Sequence, residues 1–142
     1  MPTATADAPA SILDASALLA LLQDEPGAST VVEAIEAGAA ISTVNLSEVL
    51  AKLTERGEHV RSAIATIRQA VDRADGGLRI ASFTEEDGVE AADLRPRSKS
   101  QGLSFGDRAC LALAARFEVP AVTADKGWAD LPKVGVAVKL IR

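Results

Sequence analysis

Five short apolar runs, at residues 11–14, 39–43, 78–83, 119–123 and 136–141, alternate with longer segments of helical period, and this alternation limits the fold more than any other feature. Short runs of this kind suit buried strands, and strands that take turns with helices build a parallel sheet covered by helices. In the first helical segment, residues 15–22, Leu18, Leu19 and Leu22 recur at helical spacing until Pro26-Gly27 ends it. Val31, Val32 and Ile35 mark one side of a second helix, which Gly38 stops. Leu46, Val49, Leu50 and Leu53 fill the i, i+3, i+4, i+7 template of a third, and a longer charged helix spans 58–74. Thr84 caps a further helix that reaches about Leu94, and residues 95–103 form the only basic loop. Residues 104–117 make the central helix, because Ala109 to Ala115 are seven apolar residues without a polar break and should be buried nearly all round. Pro120 falls at the start of the fourth strand, where a missing donor is tolerable. The expectation is one α/β domain at 11–142 with a central, mostly parallel five-stranded sheet.

A length of 142 residues fits a single domain, and 48% hydrophobic with 25% charged residues is ordinary for a soluble chain. No stretch approaches the roughly 18 uninterrupted apolar residues of a membrane span. One cysteine (Cys110) and one histidine (His59) exclude an internal disulfide framework and a Cys/His zinc site, and they fit a reducing cytoplasm. With no Tyr, three Phe and one Trp, the chain lacks the aromatic platforms of single-strand-binding sheets. A net charge of −5 argues against a broad nucleic-acid footprint and leaves room for a local basic stripe. Residues 1–10 have neither the basic nor the apolar region of a secretory signal and read as a disordered, Ala/Pro-rich leader.

Four acids fall at equivalent places in this pattern. Asp14 follows the first strand directly, Asp125 comes two residues after Thr123 of the fourth, and Glu48 and Asp107 open helices. In an open parallel sheet, strand C-termini and the helix N-termini that follow share one edge, where ligands bind, so the four can converge. Taken singly, each is more often a helix cap: Asp14 and Asp125 suit N-caps, and Asn45-x-x-Glu48 and Ser104-x-x-Asp107 fit a capping-box pattern, the second loosely. Asp107 tips the balance, because Cys110, Leu111 and Ala114 share its helix face, and a carboxylate among apolar groups needs a cation, a proton or organised donors. Carboxylates about 4 Å apart repel by roughly 4 kcal/mol at an effective dielectric near 20, and a divalent cation relieves this. An all-oxygen site without histidine suits Mg²⁺ or Mn²⁺, ions that keep open positions for phosphate oxygens and promote in-line phosphodiester displacement by water.

The segments 12–19, 45–49, 102–114 and 122–128, which hold these acids, resemble the PIN-domain ribonucleases, and more narrowly the VapC toxins of bacterial toxin–antitoxin pairs. The match runs from about Ser11 to the C-terminus in the family's order and spacing, and departs from it in the ten-residue leader. The resemblance implies a three-layer α/β/α domain and a Mg²⁺- or Mn²⁺-dependent endoribonuclease that acts on RNA such as transfer or ribosomal RNA. It also implies a homodimer held silent by a cognate VapB antitoxin in a bacterial cytoplasm. Carried over by position, Asp14, Glu48, Asp107 and Asp125 form the acidic site. Asp14 and Asp107 are then direct metal ligands, Glu48 and Asp125 complete the shell or position water, and Ser16 and Thr123 support the shell by hydrogen bonds.

Arg95, Arg97, Lys99 and Arg108 flank the start of the central helix, and Arg108 is the strongest of them as a grip on substrate phosphate, against a solvated-loop reading of equal weight. His59 reads as a surface residue, Cys110 as core packing, and Trp128 as a packing anchor rather than a base-stacking group. Leucines of the first helix left exposed would offer a groove to an antitoxin helix. An aspartyl phosphotransferase is demoted because Asp14 is followed by Ser16 where Asp-x-Asp is required, and a receiver domain because the third strand ends without an Asp. The alternative from another class is a noncatalytic doubly wound interaction module whose acids only cap helices.

Overall fold

The computed structural model describes residues 8–75, 77–131 and 134–142. Residues 1–7, most of the expected leader, lie outside the described residues; Pro9 is buried, and Ala10 N donates to Gly38 O at 2.7 Å just before the sheet begins. The strands are β1 (Ser11–Leu13), β2 (Ala39–Ser42), β3 (Leu78–Ala81), β4 (Ala121–Thr123) and β5 (Val138–Leu140). The helices are α1 (Ala15–Leu22), α2 (Ala28–Glu36), α3 (Thr43–Glu55), α4 (Val60–Arg73), α5 (Glu85–Arg97) and α6 (Phe105–Phe117), with 3-10 turns at Lys99–Gln101 and Lys126–Asp130. The strand order is β3-β2-β1-β4-β5, and every pairing is parallel, so the expected sheet is parallel throughout.

Side chains alternate across a strand, and each face of this sheet buries its own set. Leu13, Ile41 and Val122 pack beneath α1 to α4, with Leu18, Val31, Ile35, Val49 and Leu53. On the other face, Ile12, Ala40 and Ala121 meet Cys110, Leu111, Leu113 and Trp128. That division gives the three layers. The apolar run of α6 is buried from Ala109 to Ala114, as its sequence requires.

The chain moves outward from β1 to β2 to β3, then crosses under the sheet through α5 and α6 to place β4 on the other side of β1. Such a reversal opens a crevice at the carboxyl ends of the two strands flanking it, here β1 and β4. Asp14 ends β1 and Thr123 ends β4.

Three segments differ from the sequence expectation. The run 78–83 stops as a strand at Ala81 and lies at the sheet edge with Ile80 exposed. Arg95, Pro96 and Arg97 belong to α5 instead of a loop, and only Lys99–Gln101 continues as a 3-10 turn. Pro96 stands in the last turn, where it forfeits one i→i−4 bond but interrupts no later turn, and Ser98 closes the helix with N and Oγ both donating to Leu94 O. Helix α3 starts at Thr43, because the Ser42 hydroxyl accepts from Val44 N and takes the capping role expected of Asn45.

Candidate active site

Asp14 is buried at the mouth of the crevice. Its Oδ1 accepts from Ser16 Oγ at 2.7 Å and from Ala17 N at 2.9 Å, and its Oδ2 accepts from Thr123 Oγ1 at 2.5 Å. Ser16 Oγ accepts from Ala124 N at 2.9 Å and lies 3.3 Å from Thr123 Oγ1, which accepts from Asp125 N at 3.0 Å. Ser16 and Thr123 therefore lock the loop after β4 to the end of β1. Burial pushes the Asp14 carboxyl above its ordinary value; the Thr123, Ser16 and Ala17 donors pull it back in part, and the charge of Asp107 pushes it up again.

Asp107 sits in the first turn of α6 in a capping box. Its Oδ2 accepts from Ser104 N at 2.9 Å, and the Ser104 hydroxyl accepts from Asp107 N at 3.1 Å. Partial burial is the largest cause raising its pKa; the Ser104 bonds lower it, the charge of Asp125 raises it and Arg108 lowers it. Asp125 is exposed and caps the 3-10 turn after β4, its Oδ1 accepting from Gly127 N at 2.8 Å. Capping is thus real at three of the four acids.

Glu48 does not cap. Helix α3 crosses to α6 at the carboxyl edge of the sheet. There Asn45 Nδ2 donates to Glu48 Oε1 at 2.8 Å and to Gly106 O at 2.9 Å. Turned the other way, the amide would set its oxygen against two acceptors, so the bonds fix its orientation. The Glu48 carboxylate lies so close over the Cα of Gly106 that any side chain there would displace it. Asn45 is a positioning residue that sequence reasoning assigned to a cap. The signal was present, since Asn45, Val49 and Leu53 form the buried stripe of α3 at i, i+4, i+8.

The four acids are close enough for their charges to meet: Asp107 acts on Asp14, Asp125 acts on Asp107, and Asp14, Asp107 and Glu48 all act on Cys110. Burial first, then these charges, holds the Cys110 thiol far above its ordinary value, which keeps it an inert part of the core. Among the described residues, no group of three or more His, Cys, Asp or Glu side chains that could hold a metal ion is assembled as it stands. The donor set nevertheless fits a hard cation. Among the described residues, Glu48 Oε2, Asp107 Oδ1 and Asp125 Oδ2 accept no hydrogen bond and no lysine or arginine forms an ion pair with any of the four acids, so three carboxylate oxygens remain free to ligate.

Arg108 stands at the rim. Its Nη1 donates to Ala91 O at 2.8 Å, its guanidinium lies 5.7 Å from the Phe105 ring centroid, and its buried Nε has no partner among the described residues. His59 is an exposed N-cap of α4. Trp128 is only 1% exposed and belongs to the core.

The fold and these residues define an α/β/α domain with an acidic crevice at the β1–β4 switch point. The PIN domain model matches residues 11–134, and the chain belongs to the PIN-domain family. PIN domains are generally nucleases and typically bind divalent metal. No curated protein matches the sequence. Among solved structures, the chain is similar to a toxin–antitoxin complex from Klebsiella pneumoniae, at 20% identity and a TM-score of 0.68 over 93% of this chain and 98% of that one. It is similar to VapBC2 from Rickettsia felis bound to a promoter DNA fragment, at 16% identity and a TM-score of 0.68 over 92% and 97% of the two chains. It is also similar to VapC20 from Mycobacterium tuberculosis, a sarcin–ricin-loop-cleaving toxin, at 21% identity and a TM-score of 0.66 over 89% and 96%. At such identities the likeness is one of fold. No helix among the described residues is long and apolar enough to cross a membrane.

Proposed function

We propose that the protein is a Mg²⁺- or Mn²⁺-dependent endoribonuclease of the VapC type, a homodimer restrained by a VapB-type antitoxin. The observation that carries this reading is the pair Asp14, at the end of β1, and Asp107, in the first turn of α6, 93 residues apart in sequence yet near enough that the charge of Asp107 acts on Asp14. Burying carboxylates that no lysine or arginine among the described residues pairs with costs stability, and such groups cluster at functional sites. The solved toxin–antitoxin structures of like fold support the toxin and antitoxin parts of the proposal.

In this reading Asp14 and Asp107 hold the cation, with Glu48 and Asp125 beside it. A bound Mg²⁺ or Mn²⁺ supplies a water of lowered pKa and neutralises charge on the scissile phosphate. The chain supplies orientation. Ser16 and Thr123 fix the Asp14 carboxylate, the Ser104 backbone fixes one oxygen of Asp107, and Asn45 holds Glu48 by Oε1, leaving Oε2, which lies over Gly106, to accept a proton from the attacking water. Arg108 grips a phosphate at the rim.

The capping reading keeps one observation in its favour, since Asp14, Asp107 and Asp125 do cap. Incubating the antitoxin-free protein with total transfer and ribosomal RNA in Mn²⁺ or EDTA, for wild type and Asp14→Asn, separates the two. Endonucleolytic fragments from wild type in Mn²⁺ only are expected. No fragments, together with a melting midpoint that Mn²⁺ leaves unmoved, would overturn the nuclease and advance the interaction module.

A further inference from the structure

The aromatic residue next to the acidic crevice is Phe105, not Trp128. Phe105 opens α6 beside Gly106, whose backbone touches the Glu48 carboxylate, and it stays 50% exposed while Trp128 is 1% exposed. Among the described residues it is the one aromatic ring in the set of exposed large apolar side chains. It is also braced: the Phe83 ring meets it edge-on at 5.5 Å and 73°, and the Arg108 guanidinium lies over it. Phe83 is itself held at the same sheet edge, its N–H donating to Thr43 Oγ1 at 3.1 Å. Beside the ring opens a cleft of about 380 Å³ whose walls include Arg95, Ser98, Lys99, Ser104 and Arg108. Among the described residues Arg95 and Lys99 form no ion pair, so this is unneutralised positive charge in a chain of net charge −5.

We infer that Phe105 is a stacking platform for a nucleobase of single-stranded RNA flanking the bond to be cut, with Arg95 and Lys99 receiving the neighbouring phosphates. The inference rests on the nuclease reading and names how its substrate is held. An aromatic ring offers every base a face, and a guanidinium behind the ring strengthens the stack. Four carboxylates repel RNA, so a substrate reaching them needs an adjacent apolar and cationic hold, and this is the surface that joins both to the first turn of α6. The strand would run from the cationic cleft across Phe105 to the acids. Phe105 acts as a positioning residue and takes no part in the chemistry.

The test is binding of a fluorescein-labelled ten-nucleotide single-stranded RNA of mixed sequence, in EDTA so that nothing is cut, to the full chain. Phe105→Ala and Phe105→Leu should weaken binding about 5- to 150-fold, the range of one lost base stack, while Phe105→Trp binds like wild type and its emission is quenched by RNA. Phe105→Leu keeps an apolar side chain and guards against misfolding, which melting curves check. Without any variant, wild type should prefer the intact strand to one with abasic sites by a similar factor. Equal binding of wild type and Phe105→Leu, with no penalty for abasic sites, overturns the platform and leaves Mn²⁺-dependent cleavage standing. A wild type that neither binds the strand nor cleaves RNA overturns both readings. If Phe105→Ala instead halves the sedimenting mass and leaves RNA binding intact, the ring belongs to a contact between copies of this chain and the platform is overturned.

Discussion

Gly106→Ala separates the geometry of the site from the stability of the fold. Gly106 lies in the first turn of α6 with no need for a left-handed backbone, so alanine suits its conformation and is favoured by up to about 1 kcal/mol in helix propensity. Space is the obstacle. A methyl group there would stand 2.5 Å from both the carboxyl carbon and Oε1 of Glu48, where ordinary contact begins near 3.4 Å, so the carboxylate must retreat by about 1 Å. Glu48 is a half-buried, flexible side chain and can retreat, at the cost of its bond from Asn45, about 1.5–3 kcal/mol for a charged acceptor. The net stability change is then a loss of roughly 0.5–3 kcal/mol. A 1 Å displacement of a positioned group, by contrast, costs on the order of 10²-fold in rate. Melting in EDTA and RNA cleavage in Mn²⁺ measure the two. Cleavage within about threefold of wild type would refute the placement of Glu48 against Gly106, and a collapse of the melting midpoint would mean that the glycine serves the core.

Asp107→Asn should raise the melting midpoint of the metal-free protein near neutral pH, whereas Mn²⁺ should raise wild type and move the variant little. The pH dependence follows from the direction of the shifts: Asp14 and Asp107 are raised above 3.8, so the stability each contributes is fully present below its unfolded pKa and is lost as pH rises through its folded pKa. The advantage of Asp107→Asn in EDTA should therefore shrink as the buffer is acidified; a gain that grows on acidification would contradict the assigned cause. Asn45→Leu removes two donated bonds without changing side-chain volume greatly and should lower cleavage about tenfold, and Asn45→Asp should be worse, because it sets a carboxylate against Glu48 Oε1 and a carbonyl; matched activities would remove Asn45 from the site. Arg116 pairs through Nε and Nη2 with Asp87, which is 1% exposed, so Arg116→Ala strands a buried charge and should cost about 3 kcal/mol in urea unfolding, with the Asp87→Ala/Arg116→Ala double variant losing less than the sum of the single ones.

The order of elements was legible because each strand is a short apolar run bounded by breakers, and α6 because its apolar run has no polar break. Periodicity could not tell where helices begin and end, since caps are chosen by local competition. Ser42 and Asn45 are both good N-caps, and the winner is decided by Asn45 finding Glu48 and Gly106 from within the helix. Pro96 and the charges around it suggested a loop, yet Arg97 pairs with Asp93 one turn back at 3.1 Å and the helix runs on through the proline. The run at 78–83 suggested a buried strand, but β3 is an edge strand that leaves Ile80 exposed, and the strand stops at Ala81, beyond which Phe83 N turns to Thr43. Of the site, the acids were visible as residue types at strand ends and helix starts. The Asn45–Glu48–Gly106 contact joins residues 61 positions apart, and the exposure of Phe105 depends on how α5 and α6 pack, so neither is written in local spacing.

Capping and metal binding draw on the same acids, yet the oxygen atoms let the two coexist. A cap uses one carboxylate oxygen for one or two backbone donors. Asp107 and Asp125 each cap through a single oxygen and keep the other free. Asp14 is different: three donors occupy its two oxygens, and its carboxyl is still pushed above the ordinary range because burial outweighs them. A group serving only as a cap gains nothing from that depth, since the Ala17 bond would form as well at the surface. What depth adds is a fixed orientation and a low local dielectric, and both strengthen the attraction of Asp14 to a cation. The cap sets the carboxylate's position, and burial raises the free energy of its charge, so in the nuclease reading a cation binding there would relieve a cost that the metal-free fold carries.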